Sequence, residues 1–174
     1  MVLVGIAYKG VPIAGVTHQP FVDVEHGGRT VTGVVGGTPA VTGAVPRVRG
    51  GFASGDVVLV SGPFKAHAEL CRRLGARVEF HNGCGNKMMH ILEGKGDIYV
   101  RWGPGTKLWD TCAGQAIITA AGGRVTDQFG KDIPYFWNSE PSNKNGVCVT
   151  MENHDEVIAK LNAGDAEIQL GRLN

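Results

Sequence analysis

The 174-residue chain is 43% hydrophobic and 19% charged, enough for one domain or one and a half, with a globular rather than a disordered balance. Its net charge of +1 gives no broad field for a nucleic acid polymer or an anionic membrane, and no apolar run reaches transmembrane length. The 27 glycines, many of them in the first half, predict turns and hairpins there rather than long helices.

Taken in order, residues 2–8 read as a strand, Lys9-Gly10-Val11-Pro12 as a turn, and Ile13–Gln19 as the second arm of an antiparallel hairpin ended by Pro20. A strand starting at residue 2 needs neighbouring chain to complete its sheet. Thr30–Val35 reads as a strand, and Gly36–Gly51 as loops with one short strand. A boundary falls near 50–55. This divides the chain into 1–52, a piece of antiparallel sheet; 53–164, a regular strand–helix alternation; and 165–174, a loose tail.

In the second part, Val57–Ser61 is a strand. Lys65–Leu74 is a helix with His67, Leu70, Cys71 and Leu74 on one face. Arg77–Phe80 is a strand, and Asn86–Glu93 a helix with Met88, Ile91 and Leu92 inward. Asp97–Arg101, Arg124–Thr126 and Gly146–Thr150 are further strands. Glu152–Ala163 is the last helix, with Asn153 and Glu156 spaced as a capping box. The alternation predicts an α/β (α+β) arrangement of sheets covered by helices.

Cys71, Cys84, Cys112 and Cys148 are widely spread and form no Cys-x-x-Cys pair, which argues against zinc and fits a reducing, cytosolic setting. The short apolar start lacks a basic leader and a cleavage site, so it is not read as a signal peptide.

The most informative stretch is Trp109-Asp110-Thr111-Cys112-Ala113-Gly114, running to Gly122-Gly123. Ala113, Ala116, Ile117 and Ala120 lie on one helical face, Asp110 is placed to cap the helix, and the two glycines stop it. Capping is the common use of such an Asp; the functional reading is a carboxylate fixed at a helix end for a hard cation. A second stretch, Asn82-Gly83-Cys84-Gly85-Asn86-Lys87, sets two glycines and a lysine at a helix start. That is a candidate anion site, or a plain turn with a solvated lysine. Asp127 reads as the fixer of a hairpin turn, Cys112 as a packing residue, and Trp102 and Trp109 either as walls of a site or as core.

The Trp-Asp-x-Cys-Ala-Gly pattern with its closing Gly-Gly resembles the inositol monophosphatase superfamily, and its wording looks most like the 3'(2'),5'-bisphosphate nucleotidase branch. The resemblance implies a layered αβαβα sugar-phosphatase fold and Mg²⁺-dependent, lithium-sensitive hydrolysis of a small phosphate ester. The ester is 3'-phosphoadenosine 5'-phosphate in that branch, or an inositol phosphate in another. It implies Asp110 as a metal ligand and Ser61, Gly83 and Lys87 as substrate-holding positions. Phe64 stands where that branch carries a His. The Asp-Pro-(Ile/Leu)-Asp-Gly-Thr metal motif that precedes such a hairpin in the family is absent, so the chain looks like a C-terminal portion, without independent catalysis expected. A non-catalytic nucleotide-binding remnant is the alternative from another class. The exposed first hairpin also motivates a partner chain, a second copy included, that completes the sheet and the site.

Overall fold

A computed structural model of the chain describes residues 1–36, 40–42, 57–60, 69 and 72–163. The first sheet holds β1 (Val2–Tyr8), β2 (Val11–Gln19), β3 (Arg29–Val34) and β4 (Ala40–Thr42), antiparallel in that order. The second holds β5 (Val57–Val60), β6 (Arg77–Phe80), β7 (Ile98–Arg101), β8 (Arg124–Thr126) and β9 (Val147–Thr150) in the order β6-β5-β7-β9-β8. β5 runs parallel to β6 and β7, whereas β9 is antiparallel to β7 and β8. Three helices have described bounds, α1 (Cys84–Leu92), α2 (Leu108–Ala120) and α3 (His154–Asn162), and residues 72–74 are helical as well. None of the described helices is long and apolar enough to cross a membrane.

Strand alternation sorts the core into two layers. From β5, Val57 and Leu59 join Met88, Met89, Leu92, Ile117 and Ile118 between the sheets, while Val58 and Val60 face Leu74, Val157 and Leu161 on the far side. A strand buried on both faces reads as an unbroken apolar run, and β5 is Val-Val-Leu-Val. The order of layers is sheet, α1 and α2, sheet, α3. This is an α+β fold, and it shows β, α, β, α of the five layers the resemblance implies. Among the described residues nothing covers the outer face of the first sheet, where Val2, Val4, Ile6 and Tyr8 are exposed.

α2 lies on the inner face of the first sheet across a row of glycines. Gly5 pairs with Gly15, and Gly15 with Gly33. A Cβ at Gly15 would stand 2.2 Å from the Ala113 carbonyl oxygen, at Gly5 2.6 Å from Cys112 Sγ, and at Gly33 2.8 Å from Ile117 Cα. The row brings helix and sheet backbones into contact, and the predicted face of Ala113, Ala116, Ile117 and Ala120 is buried there. On the other side, Gly114 meets Met88 of α1.

Several boundaries differ from the sequence reading. α2 begins at Leu108, with Lys107 extended at the N-cap, so Asp110 is the third helical residue and not the cap. It serves the same orphan group from inside the helix: its carboxylate accepts from the Lys107 N–H at 2.7 Å. α1 begins at Cys84 rather than Asn86, because Gly83 takes the turn at φ +76°. The Asn153–Glu156 capping box does not form. Asn153 is left-handed (φ 52°) and makes no side-chain cap bond, while Glu156 pairs with Lys160 at 2.9 Å. The 50–55 boundary, most of the Lys65–Leu74 helix and the 165–174 tail lie outside the described residues.

Candidate active site

The N-termini of α1 and α2 approach each other. Asp110, half-buried in the first turn of α2, is close enough to act electrostatically on Cys84 and Tyr99. One Asp110 oxygen is committed to the Lys107 amide. Each helix N-terminus carries unpaired backbone N–H groups and the positive end of a helix dipole, which favours anions.

The first turn of α2 is held from below. Thr111 Oγ1, fully buried, accepts from the Tyr135 hydroxyl at 2.9 Å and from Asn143 Nδ2 at 3.3 Å. Asn143 Nδ2 also donates to Thr106 Oγ1 at 3.0 Å, and the Leu108 amide donates to the Pro141 carbonyl at 2.8 Å. These bonds fix the backbone carrying Asp110 to the 135–143 segment. No sequence signal pointed to Tyr135 or Asn143, since both are joined to α2 only through the tertiary fold.

Lys87 is turned inward. It is 1% exposed, its ammonium donates to the His81 and Gly83 carbonyls at 3.0 Å each, and it lies 4.8 Å from the Tyr99 ring centroid. Burial pulls its pKa below the ordinary lysine value. The lysine staples the loop that ends at Gly83, so the loop's shape at the α1 N-terminus depends on it. Gly83 is exposed and presents backbone only. Ser61, Phe64 and His67 lie outside the described residues.

The three described cysteines are not poised as nucleophiles. Burial pushes Cys84 up to about 11 and Cys148 up to about 12, and raises Cys112 as well, so all three are neutral thiols near pH 7. Asp127 fixes its turn as read: Oδ1 accepts from the Phe129 and Lys131 amides, both at 2.9 Å, and Oδ2 from Asn145 Nδ2 at 3.1 Å. The two tryptophans divide. Trp102 packs on the far core with the Arg73 guanidinium 5.4 Å from its ring. Trp109 walls an open groove of about 550 Å³ with Gly5, Ala7, Cys112, Phe136 and Trp137.

Among the described residues no three His, Cys, Asp or Glu side chains come together to hold a metal ion. A hard cation takes oxygen ligands in number, and Asp110 alone does not make such a site.

Fold and sequence both point to a sugar-phosphatase class of protein. The model of the inositol monophosphatase family matches residues 1–165, and the chain belongs to that family. It is 36% identical over 172 residues to 3'(2'),5'-bisphosphate nucleotidase 1 of Dictyostelium discoideum, covering 91% of this chain and 55% of the relative. To the Homo sapiens protein of the same name it is 34% identical over 174 residues, covering 92% and 53%. The chain thus spans about half the length of the curated relatives it matches. Among solved structures it superposes on an inositol monophosphatase of Thermotoga maritima with a TM-score of 0.69 at 21% identity, covering 92% of this chain and 59% of that one.

Proposed function

We propose that the chain is part of a phosphomonoester hydrolase of the 3'(2'),5'-bisphosphate nucleotidase type, which releases phosphate from 3'-phosphoadenosine 5'-phosphate to leave AMP. The observation that carries this reading is the placement of Asp110: a carboxylate on a helix end braced by Thr111, Tyr135 and Asn143, facing the N-terminus of α1. The relatives named as bisphosphate nucleotidases support the branch.

In this reading the two helix ends receive the anionic substrate, and the Lys87-stapled loop sets the position of the Gly83 backbone beside it. Ser61 belongs to the substrate-holding set by the same resemblance. When bound, Mg²⁺ would supply charge neutralisation for metal-assisted phosphate hydrolysis. Asp110 would be one ligand for it, and the further carboxylates such a site needs are not found among the described residues. That requirement favours a second reading for the chain by itself, a nucleotide-binding piece without turnover. Phe64, in place of a His, keeps an inositol phosphate open as the ester.

The test is phosphate release from 3'-phosphoadenosine 5'-phosphate and from inositol 1-phosphate by the purified chain with Mg²⁺, with and without lithium, beside Asp110→Asn. AMP binding is followed by calorimetry in parallel. Lithium-sensitive turnover on the nucleotide, lost in Asp110→Asn, supports the proposal. Preference for the inositol ester moves the chain to the other branch. AMP binding without turnover supports the second reading, and neither binding nor turnover by a folded chain refutes both.

A further inference from the structure

One side chain of the first sheet is bonded to both ends of α1. Arg29 opens β3, and one nitrogen of its guanidinium donates to the Glu93 carboxylate at the C-cap of α1. Its other two nitrogens donate to Oε1 of Gln19, the last residue of β2, with Nε at 2.9 Å. Gln19 Nε2 then donates to Oδ1 of Asn86, in the first turn of α1, at 3.3 Å. Chemistry settles the direction of this relay. A guanidinium only donates, so the Gln19 oxygen faces Arg29 and its nitrogen is left for Asn86. The relay is also sheltered from water: Gln19 is 7% exposed and the Glu93 side chain 9%.

The apolar contacts of α1 leave work for such a clamp. Toward the first sheet, Met89 Sδ accepts from Thr17 Oγ1 at 3.4 Å, and toward α2 Met88 lies against Gly114. Methionine adapts to irregular gaps, so a face made of it buries area while specifying a seating poorly. A helix resting on two methionines can slide or roll with little loss. Bonds to a guanidinium are short, directional and stronger than neutral ones. Here they grip the helix at both ends, seven residues apart, and fix its position along its own axis.

We propose that Arg29 is a positioning residue for the α1 N-terminus, acting through Gln19 and Asn86 to set where the Gly83 backbone stands. The consequence for a ligand rests on the phosphatase reading, in which that backbone lies beside the phosphate ester. Asn86 is coupled to Gly83 closely: a Cβ built on Gly83 would stand 3.7 Å from Asn86 Cβ. Displacing Asn86 therefore displaces the start of the helix. Lys87 and Arg29 divide the task. Lys87 shapes the loop from within, through the His81 and Gly83 carbonyls, and Arg29 places the shaped loop from the sheet. A lysine at position 29 would keep the charge beside Glu93 and lose the fork that orients Gln19.

The test is residue-resolved amide hydrogen exchange on the chain, with AMP binding by calorimetry and urea melts beside it. Arg29→Lys and Gln19→Leu each cut the relay and leave a cation for Glu93, so the fold is not burdened with an unpaired buried carboxylate. In both, the amides of Lys87, Met88 and Met89 are expected to exchange at least tenfold faster, while those of Ile117 and Ile118 stay within twofold. AMP is expected to bind at least tenfold more weakly. Lys95→Met removes the exposed partner 2.7 Å from Glu93 Oε2, leaves the relay whole, and is expected to behave as the wild type. Unchanged exchange at Lys87–Met89, or exchange that quickens equally in α2, overturns the inference. Local loosening with AMP bound as tightly as before overturns it too. Local loosening in a chain whose wild type binds no AMP supports the seating by Arg29 and refutes the nucleotide reading instead.

Discussion

Gly15→Ala is the sharpest test of how α2 is seated. The added Cβ would stand 2.2 Å from the Ala113 carbonyl oxygen and 2.9 Å from its carbon. Both clashing partners are backbone, so no rotamer change relieves them; the helix must lift away from β2 or the strand must bow. Overpacking a core costs about 1–3 kcal/mol where side chains can yield, and a backbone clash belongs at or above the top of that range, about 3 kcal/mol. For a chain of this size that lowers Tm by about 6–12 °C. The control is Gly122→Ala, which meets nothing within 4 Å and suffers only from its φ of +91°, a cost of about 1 kcal/mol. Urea denaturation of both variants, read at constant m-value, gives the comparison. If Gly15→Ala costs no more than Gly122→Ala, the close seating of α2 on the glycine row is wrong.

Other expectations concern single groups. His154 is buried between Thr126 Oγ1 (2.8 Å) and Thr150 Oγ1 (3.0 Å), and its pKa is lowered to about 4, chiefly by burial. The unfolded chain therefore binds the extra proton between about pH 6.5 and 4, so the neutral residue's contribution is complete above 6.5 and lost as pH falls to 4. Stability in that window should rise with pH, and His154→Gln should flatten the slope in a pH series of urea melts. Lys87→Met leaves the His81 and Gly83 carbonyls without their donor, a loss of about 2 kcal/mol; unchanged stability with weakened AMP binding would instead mean that the ammonium meets the ligand directly. Asp110→Ala removes the acceptor for the Lys107 amide and should cost about 1 kcal/mol, whereas Asp110→Asn should retain most of it. Cys84 and Cys148, held neutral by burial, should resist a thiol reagent in the native chain and react once it is unfolded.

Much of the second part was legible because its elements are short, periodic and closed by glycine. Arg77–Phe80 and Arg124–Thr126 are strands with the bounds read from the sequence, and the small-residue face of α2 is buried as its spacing implied. The start of α2 was misplaced because an acid at the third helical position and an acid at the N-cap satisfy the same orphan amides and leave similar patterns. The inward turn of Lys87 was not legible, since its acceptors are carbonyls, which every residue carries. Nor was the bracing of Asp110, where Tyr135 lies 24 positions from Thr111. The sequence reading took the glycines only as signs of turns, and it is the register that shows those at 5, 15 and 33 to be one feature.

That row of glycines has a consequence for how the molecule holds together. α2 follows the second sheet's first strands in the chain, yet its backbone rests on the first sheet. Cutting the chain within 43–56 would therefore not release two independent bodies. Residues 1–42 would have lost the covalent link and kept the helix, because among the described residues the inner face of that sheet is fitted to α2. The two fragments are expected to remain as one particle, separating only when the fold itself melts, and Asp110 would keep its place in the nicked form.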